Sequence, residues 1–268
     1  FTNASPPDKA ALDLWPSLTY AADHTNRIQF GSLVTPVTFR LPPVTAKAAA
    51  AVDDLSGGRL VLGIGAGWQK REHHNFGIPF PLAETRYGML RDYLEVVTRL
   101  FHADEPVSYD GEYFSLHETI LLPRPERPGG PTILVGGNGR ERTMPLAARY
   151  ADEWNALFVT PNELRGLQRH FDALLRENGR PEQAVRRSIM LGTLFARDER
   201  VLQEKLAERG RSLEEIRERG LIAGTPEMWV EQIGAYASAG AERIMLQWLD
   251  QDDIEGLEIV AGKVLAAL

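Results

Sequence analysis

Two glycine-rich segments have residue types and spacing suited to ligand binding. In the first, Gly136, Gly137, Asn138 and Gly139 follow an apolar run, and Arg140 comes next. Free backbone N–H groups, a helix dipole and a cation together bind anions, so this segment predicts a phosphate site. An ordinary left-handed turn with surface arginines is the alternative.

The second segment, Gly63–Gly67, alternates glycine with other residues in the pattern G-x-G-x-G. Glycine allows a backbone to approach a flat or anionic ligand closely. The dinucleotide fingerprint G-x-G-x-x-G needs glycine where this sequence has Trp68, so the pattern argues against a Rossmann site. Close packing of a strand on a helix explains these glycines equally well.

A few other side chains could serve a site. Trp154 with its neighbouring asparagine, and Gln247 with Trp248, end two further apolar runs. They suit an aromatic wall with an amide, although core packing explains them equally well. His73 and His74 follow a glutamate, but adjacent histidines on a helix point apart and H-E-x-x-H is absent, so no metal site is predicted.

Composition narrows the classes of function. The chain has 268 residues, a formal net charge of −7, 43% hydrophobic residues and no Cys. Without Cys, disulfides, Cys-ligated metals and thiol nucleophiles are excluded. The excess of acidic over basic residues argues against nucleic acid as a partner. No apolar run is long enough to span a membrane. Its beginning lacks the pattern of a signal peptide, so we expect a cytoplasmic protein with a small-molecule substrate.

Apolar strands alternate with amphipathic helices along the sequence. Six strands are predicted, at Arg27–Thr35, Arg59–Gly65, Thr132–Val135, Glu153–Phe158, Ser188–Phe195 and Arg243–Trp248. Helices are predicted at Asp8–Asp23, Pro42–Leu55, Ala83–Phe101, Arg140–Tyr150, Asn162–Asn178, Asp198–Arg219, Pro226–Ala239 and Ile254–Leu268. Asp110-Gly111, between β-forming residues, predicts a hairpin within Val107–Leu116.

This order of elements implies an α/β fold in which helices cover a parallel sheet. Two architectures fit six strands. One is a (β/α)8 TIM barrel that lacks its N-terminal β-α-β, and the other is an open, doubly wound sheet. We expect a single domain over residues 1–268, with the hairpin as an insertion near residues 105–130.

Three long segments, Thr25–Pro81, Leu121–Asn155 and Gly224–Gln247, closely resemble the luciferase-like monooxygenase superfamily. Within it, they are most similar to the branch that uses the deazaflavin coenzyme F420. The resemblance implies a TIM barrel with an insertion, an oxidoreductase activity, a flavin or deazaflavin at the mouth of the barrel, and a homodimer. It favours the barrel over the open sheet.

The resemblance also assigns roles to individual residues. It implies a bulge with a non-proline cis peptide at Leu33–Val34 that supports the cofactor ring. The loop after the next strand, Gly65–Trp68, would border the ring, and the Gly136–Gly139 segment would bind the phosphate. The cofactor-binding residues implied are Leu33, Val34, Thr35, Gly65, Ala66, Gly67, Trp68, Gly136, Gly137, Asn138, Gly139 and Arg140.

The substrate side of the expected site is less complete. Phe1 matches an aromatic residue that follows an Asp-His pair in the family, so the catalytic histidine is expected before residue 1. Trp68 stands where the related sugar-phosphate dehydrogenases carry a carboxylate, which favours an apolar substrate. The expected substrate pocket consists of Phe1, Trp68, Trp154, Gln247 and Trp248.

Three functions follow from these expectations. In the first, the deazaflavin exchanges a hydride with a small organic substrate, because it carries carbon where a flavin carries nitrogen and does not readily activate oxygen. In the second, reduced FMN adds oxygen to the substrate, with a flavin or deazaflavin reductase as a partner. In the third, the chain binds a cofactor without catalysis.

Overall fold

The computed structural model describes residues 12–268, so Phe1 lies outside the described residues. The chain divides into two compact units. Unit 1 contains the residues up to Gly136 together with Arg149–Asp152, and unit 2 contains Gly137–Ala148 and everything from Glu153 onward. The single domain expected over the whole chain stays a prediction.

Unit 1 is organised around its central strand, β3. In chain order its elements are α1 (Leu14–His24), β1 (Phe30–Gly31), β2 (Thr35–Pro36), α2 (Pro42–Leu55), β3 (Leu60–Gly65), α3 (Lys70–Asn75), α4 (Ala83–His102), β4 (Val107–Asp110), β5 (Ser115–Thr119) and β6 (Thr132–Gly136). Strand β3 pairs in parallel with β1, β2 and β6. All of its residues are buried, as its unbroken apolar sequence predicts.

The predicted strand Arg27–Thr35 is wrong in extent. Strands β1 and β2 have two residues each and flank a bulge, where the Leu33–Val34 peptide is cis as the resemblance implied. In the bulge, the Ser32 hydroxyl donates to the Gly63 carbonyl over 2.8 Å and accepts from the Gly63 N–H over 3.0 Å. Because a side chain satisfies the backbone of β3 here, the ladder is interrupted without leaving Gly63 unpaired.

Helix α2 has the predicted bounds and packs against α4. It begins at Pro42, whose fixed φ suits the first turn of a helix, and it ends just before Gly57, which has a φ of 67°. Tyr93 of α4 donates a hydrogen bond to the Thr45 hydroxyl on the buried face of α2. The two helices therefore pack on each other, and each also contacts β3.

Strands β4 and β5 form the predicted hairpin, but its turn differs from the prediction. Asp110 pairs with Ser115, so the loop is the four-residue segment Gly111–Phe114 instead of a two-residue turn at Asp110-Gly111. The buried Asp92 of α4 accepts a hydrogen bond from the Tyr113 N–H over 2.8 Å. A buried carboxylate from another element thus holds this turn.

Unit 2 is organised around the long strand β8. Its elements are α5 (Thr143–Tyr150, whose last two residues belong to unit 1), β7 (Glu153–Leu157), α6 (Pro161–Glu177), a 3-10 turn (Glu182–Ala184), β8 (Arg186–Phe195), α7 (Glu199–Arg209), α8 (Leu213–Arg217), β9 (Leu221–Gly224), α9 (Pro226–Ser238), β10 (Arg243–Gln247), α10 (Ile254–Ile259), a π-helical turn (Val260–Val264) and a final 3-10 turn (Leu265–Ala267). Strand β8 pairs in parallel with β7, β9 and β10.

Three sequence predictions in unit 2 are corrected. Strand β9, absent from the six predicted strands, pairs with the last four residues of β8, and its four residues are too few to make a clear pattern. Helix α5 begins at Thr143 instead of Arg140, because the Gly139 carbonyl accepts hydrogen bonds from Thr143 and Met144 and forms a tight turn. The predicted helical stretch Asp198–Arg219 breaks at Gly210, which has a φ of 59°.

The parallel pairing within each unit confirms the α/β class. Among residues 12–268, no helix combines the length and the apolar character needed to cross a membrane.

Candidate functional site

The bulge of unit 1 is built on glycines. A Cβ added at Gly65 would lie 2.5 Å from Val34 Cγ2, and one at Gly63 or Gly136 would lie 3.0 or 3.2 Å from Val34 Cγ1. Gly65 and Gly136 therefore make room for the Val34 side chain, and Gly63 makes room first for the Ser32 carbonyl oxygen, which would lie 2.0 Å from an added Cβ. These contacts explain much of the G-x-G pattern by packing. Leu33 is 38% exposed, so the bulge presents an apolar surface that is supported from behind.

Thr35, also expected to contact the cofactor, is buried in β2 and aligned with Ile64 of β3. The residue is therefore buried in unit 1 at the paired part of β2. A role in cofactor binding stays a prediction for this residue.

The loop that follows β3 is held at several backbone atoms. The Gly65 carbonyl accepts from the Val37 N–H over 3.0 Å, and the Gly67 carbonyl accepts from Arg86 Nε over 3.2 Å. The Arg86 guanidinium lies 4.0 Å from the centre of the Phe80 ring, a cation–π contact. The fixed loop carries Trp68, whose side chain is 63% exposed.

His73, which the sequence placed only in a doubtful metal cluster, is buried beside this loop. Its Nδ1 lies 2.8 Å from the Gln69 carbonyl oxygen, and its Nε2 lies 2.7 Å from Thr38 Oγ1. Since a carbonyl can only accept, Nδ1 carries a hydrogen, and in the neutral imidazole Nε2 then accepts from the Thr38 hydroxyl. Through these two hydrogen bonds His73 holds the loop in position. Nothing in the sequence spacing predicted this role.

The metal prediction can be compared with the described residues alone. Within residues 12–268, no three side chains of His, Cys, Asp or Glu are grouped in a way that could hold a metal ion.

The glycine loop of unit 2, Gly137–Gly139, is fastened to the end of β7. The Gly137 N–H donates to the Asn155 carbonyl over 2.9 Å. Asn138 donates through Nδ2 to the Leu157 carbonyl over 2.7 Å and accepts through Oδ1 from the Leu157 N–H over 2.9 Å. The Asn138 amide therefore pairs with β7 as a neighbouring strand would.

Three consecutive backbone N–H groups of this segment are available for a ligand. Within the described part of the chain, no hydrogen bond engages the N–H groups of Asn138, Gly139 and Arg140. Consecutive free N–H groups in a turn form an anion-binding concavity. Arg140 lies in this turn, with one guanidinium nitrogen 3.4 Å from the Gly166 carbonyl on α6.

Trp154 does not form a pocket wall, which corrects one of the predicted substrate residues. The indole is completely buried and stacks on Phe171 of α6 with ring centres 4.7 Å apart. Its N–H donates to the Gly137 carbonyl over 2.9 Å. The core alternative is therefore the one the structure supports, and Trp154 contributes by supporting the glycine loop.

The adjacent Asn155 was singled out for its amide. It is completely buried, and its Nδ2 donates to the Ser188 hydroxyl of β8 over 2.9 Å. Its Oδ1 has no hydrogen-bond partner among the described residues. A buried, unpaired amide oxygen is costly, so a water molecule or another donor is expected there.

Gln247 and Trp248 lie at the end of β10 and are half-buried. The Gln247 carbonyl accepts from the Thr193 hydroxyl over 2.8 Å. The Trp248 ring lies 5.7 Å from Phe195 and 6.2 Å from Trp229, within an aromatic cluster. Their place in a substrate pocket stays a prediction.

Phe158 was missed by the sequence analysis. It follows β7 directly, has a φ of 48°, and its side chain is 41% exposed. A left-handed backbone at a residue other than glycine costs about 1–2 kcal/mol. No sequence signal marks such a residue, because phenylalanine is common in apolar runs of every backbone conformation.

Solved structures share the fold of this chain. An F420-dependent secondary alcohol dehydrogenase, in complex with an F420–acetone adduct, matches 98% of this chain and 86% of its own, with a TM-score of 0.83 and 19% identity. The EDTA monooxygenase of Chelativorans matches 99% of this chain and 80% of its own, with a TM-score of 0.81 and 19% identity. At such identities the likeness concerns the fold, and it confirms the TIM-barrel class over the open sheet.

Sequence relatives fall into several groups. An uncharacterized protein of Mycobacterium tuberculosis is 36% identical over 165 residues, which cover 60% of this chain and 56% of that protein. The F420-dependent glucose-6-phosphate dehydrogenase of Amycolatopsis mediterranei is 26% identical over 280 residues, covering 92% of this chain and 81% of that enzyme. The 4-hydroxyprotoasukamycin monooxygenase of Streptomyces nodosus is 36% identical over 130 residues, 48% of this chain and 34% of that enzyme.

The first of these alignments thus spans little more than half of the relative. The wider match is to a family model, that of the luciferase-like monooxygenases, which covers residues 1–216. This match covers about four-fifths of the chain, and the solved structures described above share its fold. The chain belongs to the luciferase-like monooxygenase family.

Proposed function

We propose that this protein is an oxidoreductase that transfers a hydride between the deazaflavin coenzyme F420 and a small organic substrate. The observation that carries the proposal is the bulge of unit 1, where Val34 packs closely on Gly65 and Leu33 is 38% exposed. An apolar surface that is supported from behind by close packing suits the flat face of a tricyclic ring. The similarity to an F420-dependent dehydrogenase over 92% of the chain supports the same cofactor.

The residues present fit such a cofactor. In this proposal the Leu33–Val34 bulge and the Gly65–Trp68 loop of unit 1 contact the ring. Taken by itself, unit 2 offers the free N–H groups of Asn138, Gly139 and Arg140 as a site for a phosphate. When bound, the deazaflavin supplies or accepts the hydride. The chain itself orients the ring and excludes water from one of its faces.

The resemblance implies a catalytic histidine before residue 1, and this stays a prediction. His73 does not replace it, because both of its ring nitrogens are engaged, by Gln69 and Thr38. We therefore assign His73 to positioning the loop and assign no proton donor.

An FMN-dependent monooxygenase with a separate flavin reductase is the second candidate. It is favoured by the 36% identity to 4-hydroxyprotoasukamycin monooxygenase, which concerns 48% of the chain. The same bulge and glycine loop would serve FMN, since both cofactors combine a tricyclic ring with a ribityl phosphate. This candidate predicts oxygen consumption with reduced FMN.

Titration with oxidised F420 and, separately, with FMN tests the proposal, with fluorescence quenching as the readout. We expect tighter binding of F420 than of FMN. Leu33→Asp, which adds a charge to the proposed ring surface, should weaken F420 binding at least tenfold, about 1.4 kcal/mol. Leu82→Asp, on another exposed leucine of unit 1, is the matched control and should leave binding unchanged.

Each other result has a definite meaning. Tighter FMN binding with oxygen uptake would replace the proposal by the monooxygenase. Binding of neither cofactor would overturn both.

We also propose that the protein forms a homodimer through the outer face of α2. Leu41, Val44, Ala48, Ala51 and Leu55 follow the three-four spacing of a helix–helix seam. Leu41, Val44 and Leu55 are each more than half exposed. A continuous apolar stripe on a helix surface is typical of a contact with a second copy.

A further inference from the structure

Phe158 combines two features that rarely occur together. Its backbone is left-handed, with a φ of 48°, and its large apolar side chain is 41% exposed. Bulky residues are outliers in this region of backbone space, and such outliers concentrate where a side chain has to be aimed. The conformation of Phe158 therefore needs an explanation other than the connection of two elements of the chain.

The surroundings of Phe158 hold this backbone in place. Its N–H donates to the Met190 carbonyl of β8 over 3.0 Å. The preceding Leu157 is paired on both backbone groups by Asn138, and the following Val159 carbonyl accepts from the Tyr236 hydroxyl over 2.9 Å. The conformation is thus fixed by hydrogen bonds before, at and after the residue.

Gly220 adds a steric constraint. A Cβ at Gly220 would lie 2.3 Å from the Phe158 carbonyl carbon, so the glycine allows the two backbones to come this close. The left-handed turn at Phe158 is therefore specified by its neighbours in unit 2, and is not a loosely held loop conformation.

The ring of Phe158 lies next to two other apolar positions. The point where a Gly192 Cβ would stand is 3.5 Å from Phe158 Cε1 and 3.0 Å from Leu221 Cγ. Because Gly192 has no side chain, the Phe158 ring and the half-buried Leu221 side chain both approach this one position of β8. Phe158 comes just past the carboxyl end of β7, the edge at which ligands bind in parallel β/α folds, and Leu221, the first residue of β9, is aligned with Gly192.

We propose that Phe158 and Leu221 form an apolar subsite that receives an alkyl or aryl group of the substrate. This inference rests on the proposed function and adds a substrate class to it. A sugar phosphate would place hydroxyl groups against the Phe158 ring, where they would lose their hydrogen bonds to water. An unbranched hydrocarbon group loses none.

A homologous series of 2-alkanones, from 2-butanone to 2-octanone, tests the subsite by calorimetric binding to the protein with and without F420. In the wild-type protein each added methylene should tighten binding about threefold to fourfold. Phe158→Gly and Phe158→Asn both tolerate a left-handed backbone, so both should fold, and a cooperative thermal transition of each variant checks this. Both should abolish the dependence on chain length and leave F420 binding within twofold.

Phe158→Tyr, which keeps the ring, is the matched control and should retain the dependence on chain length. The proposal is overturned if Phe158→Gly binds the series as the wild type does, or if glucose 6-phosphate binds the wild type more tightly than 2-octanone. It is also overturned if Phe158→Gly weakens F420 binding and leaves the series unaffected. A chain-length dependence in a protein that binds no F420 would support the subsite and refute the proposed cofactor.

Discussion

At the scale of single residues, Val34 and Gly65 behave as a size-matched pair. The Val34 methyl groups fill the volume that a side chain at Gly65 would occupy, since an added Cβ there would approach Val34 Cγ2 to 2.5 Å. At Gly63 an added Cβ would first meet the Ser32 carbonyl oxygen, at 2.0 Å, and Val34 Cγ1 only at 3.0 Å. Gly65 is therefore the glycine whose size is matched to Val34.

Gly65→Ala should accordingly destabilise the protein by about 1–3 kcal/mol, because the added methyl displaces Val34. Val34→Ala should cost less in the Gly65→Ala background than in the wild type, since the smaller side chain makes room for the methyl. Urea denaturation of the two single variants and the double variant measures this coupling.

Gly234→Ala is the control for this prediction. It lies within α9, its added Cβ meets no neighbour within 4 Å, and it should stabilise the protein by about 0.5–1 kcal/mol. Additive effects of Gly65→Ala and Val34→Ala would contradict the size-matched pair.

The candidate site could be predicted from the sequence only at positions where the residue types fit one structural role. The Asn138 turn was recognised because a run of glycines with an asparagine exceeds what a plain turn requires. Trp154 could not be distinguished from a pocket residue, because an indole that stacks in the core has the same sequence context as one that lines a pocket. His73 and Phe158 gave no signal, since each depends on a residue distant in the sequence. Thr38 lies 35 residues from His73, and Gly192 lies 34 residues from Phe158.

At the scale of elements, the exposed stripe on α2 carries the proposed dimer. Ala51→Glu would place a charge in the middle of the apolar seam and should convert the dimer to a monomer, because burying an unpaired carboxylate is costly. Ala207→Glu, at an exposed alanine of α7, is the matched control and should leave the dimer intact.

Sedimentation equilibrium of the two variants and the wild type measures the mass of each. A wild-type monomer, or an Ala51→Glu variant that remains dimeric, would refute the contact through α2.

Element boundaries were predicted well where local chemistry ends a helix and poorly where a distant contact does so. Helix α2 has the predicted bounds because Pro42 and the glycines after Ser56 are local signals. The bulge between β1 and β2 was read as strand because Ser32, Leu33 and Val34 belong to a mostly apolar run. The hydroxyl of Ser32, bonded to Gly63 across the sheet, decides where pairing stops.

At the scale of the molecule, stability should depend on pH through Glu95. Burial raises the pKa of Glu95, but hydrogen bonds from Tyr150 and Arg99, with the nearby Arg149, lower it more, so the net pKa is below its ordinary value. A carboxyl whose pKa is lowered by folding stabilises the protein above its unfolded pKa of about 4.3 and loses that contribution as the pH falls through the folded value.

Glu95→Gln should therefore be less stable than the wild type at pH 7, by about 1–3 kcal/mol for a hydrogen bond to a charged group. The difference should shrink as the pH falls below about 5, and it should vanish where Glu95 is protonated in the folded protein. Urea midpoints measured from pH 7 to pH 3 check this. Glu105→Gln, at an exposed loop residue, serves as the control, and a difference independent of pH would contradict the prediction.

Because Asn138 pairs with Leu157, hydrogen exchange at the end of β7 reports the opening of the glycine loop. The Leu157 amide hydrogen exchanges with solvent only when its hydrogen bond to Asn138 Oδ1 is broken, so its protection factor measures how often the loop opens. An anion held by the neighbouring N–H groups would have to leave before that opening. At a ligand concentration of about 100 times Kd, linkage would slow the exchange of this one hydrogen by about a hundredfold. The exchange rate of the Leu157 amide hydrogen, measured over minutes to hours, would therefore report how often the glycine loop holds no anion.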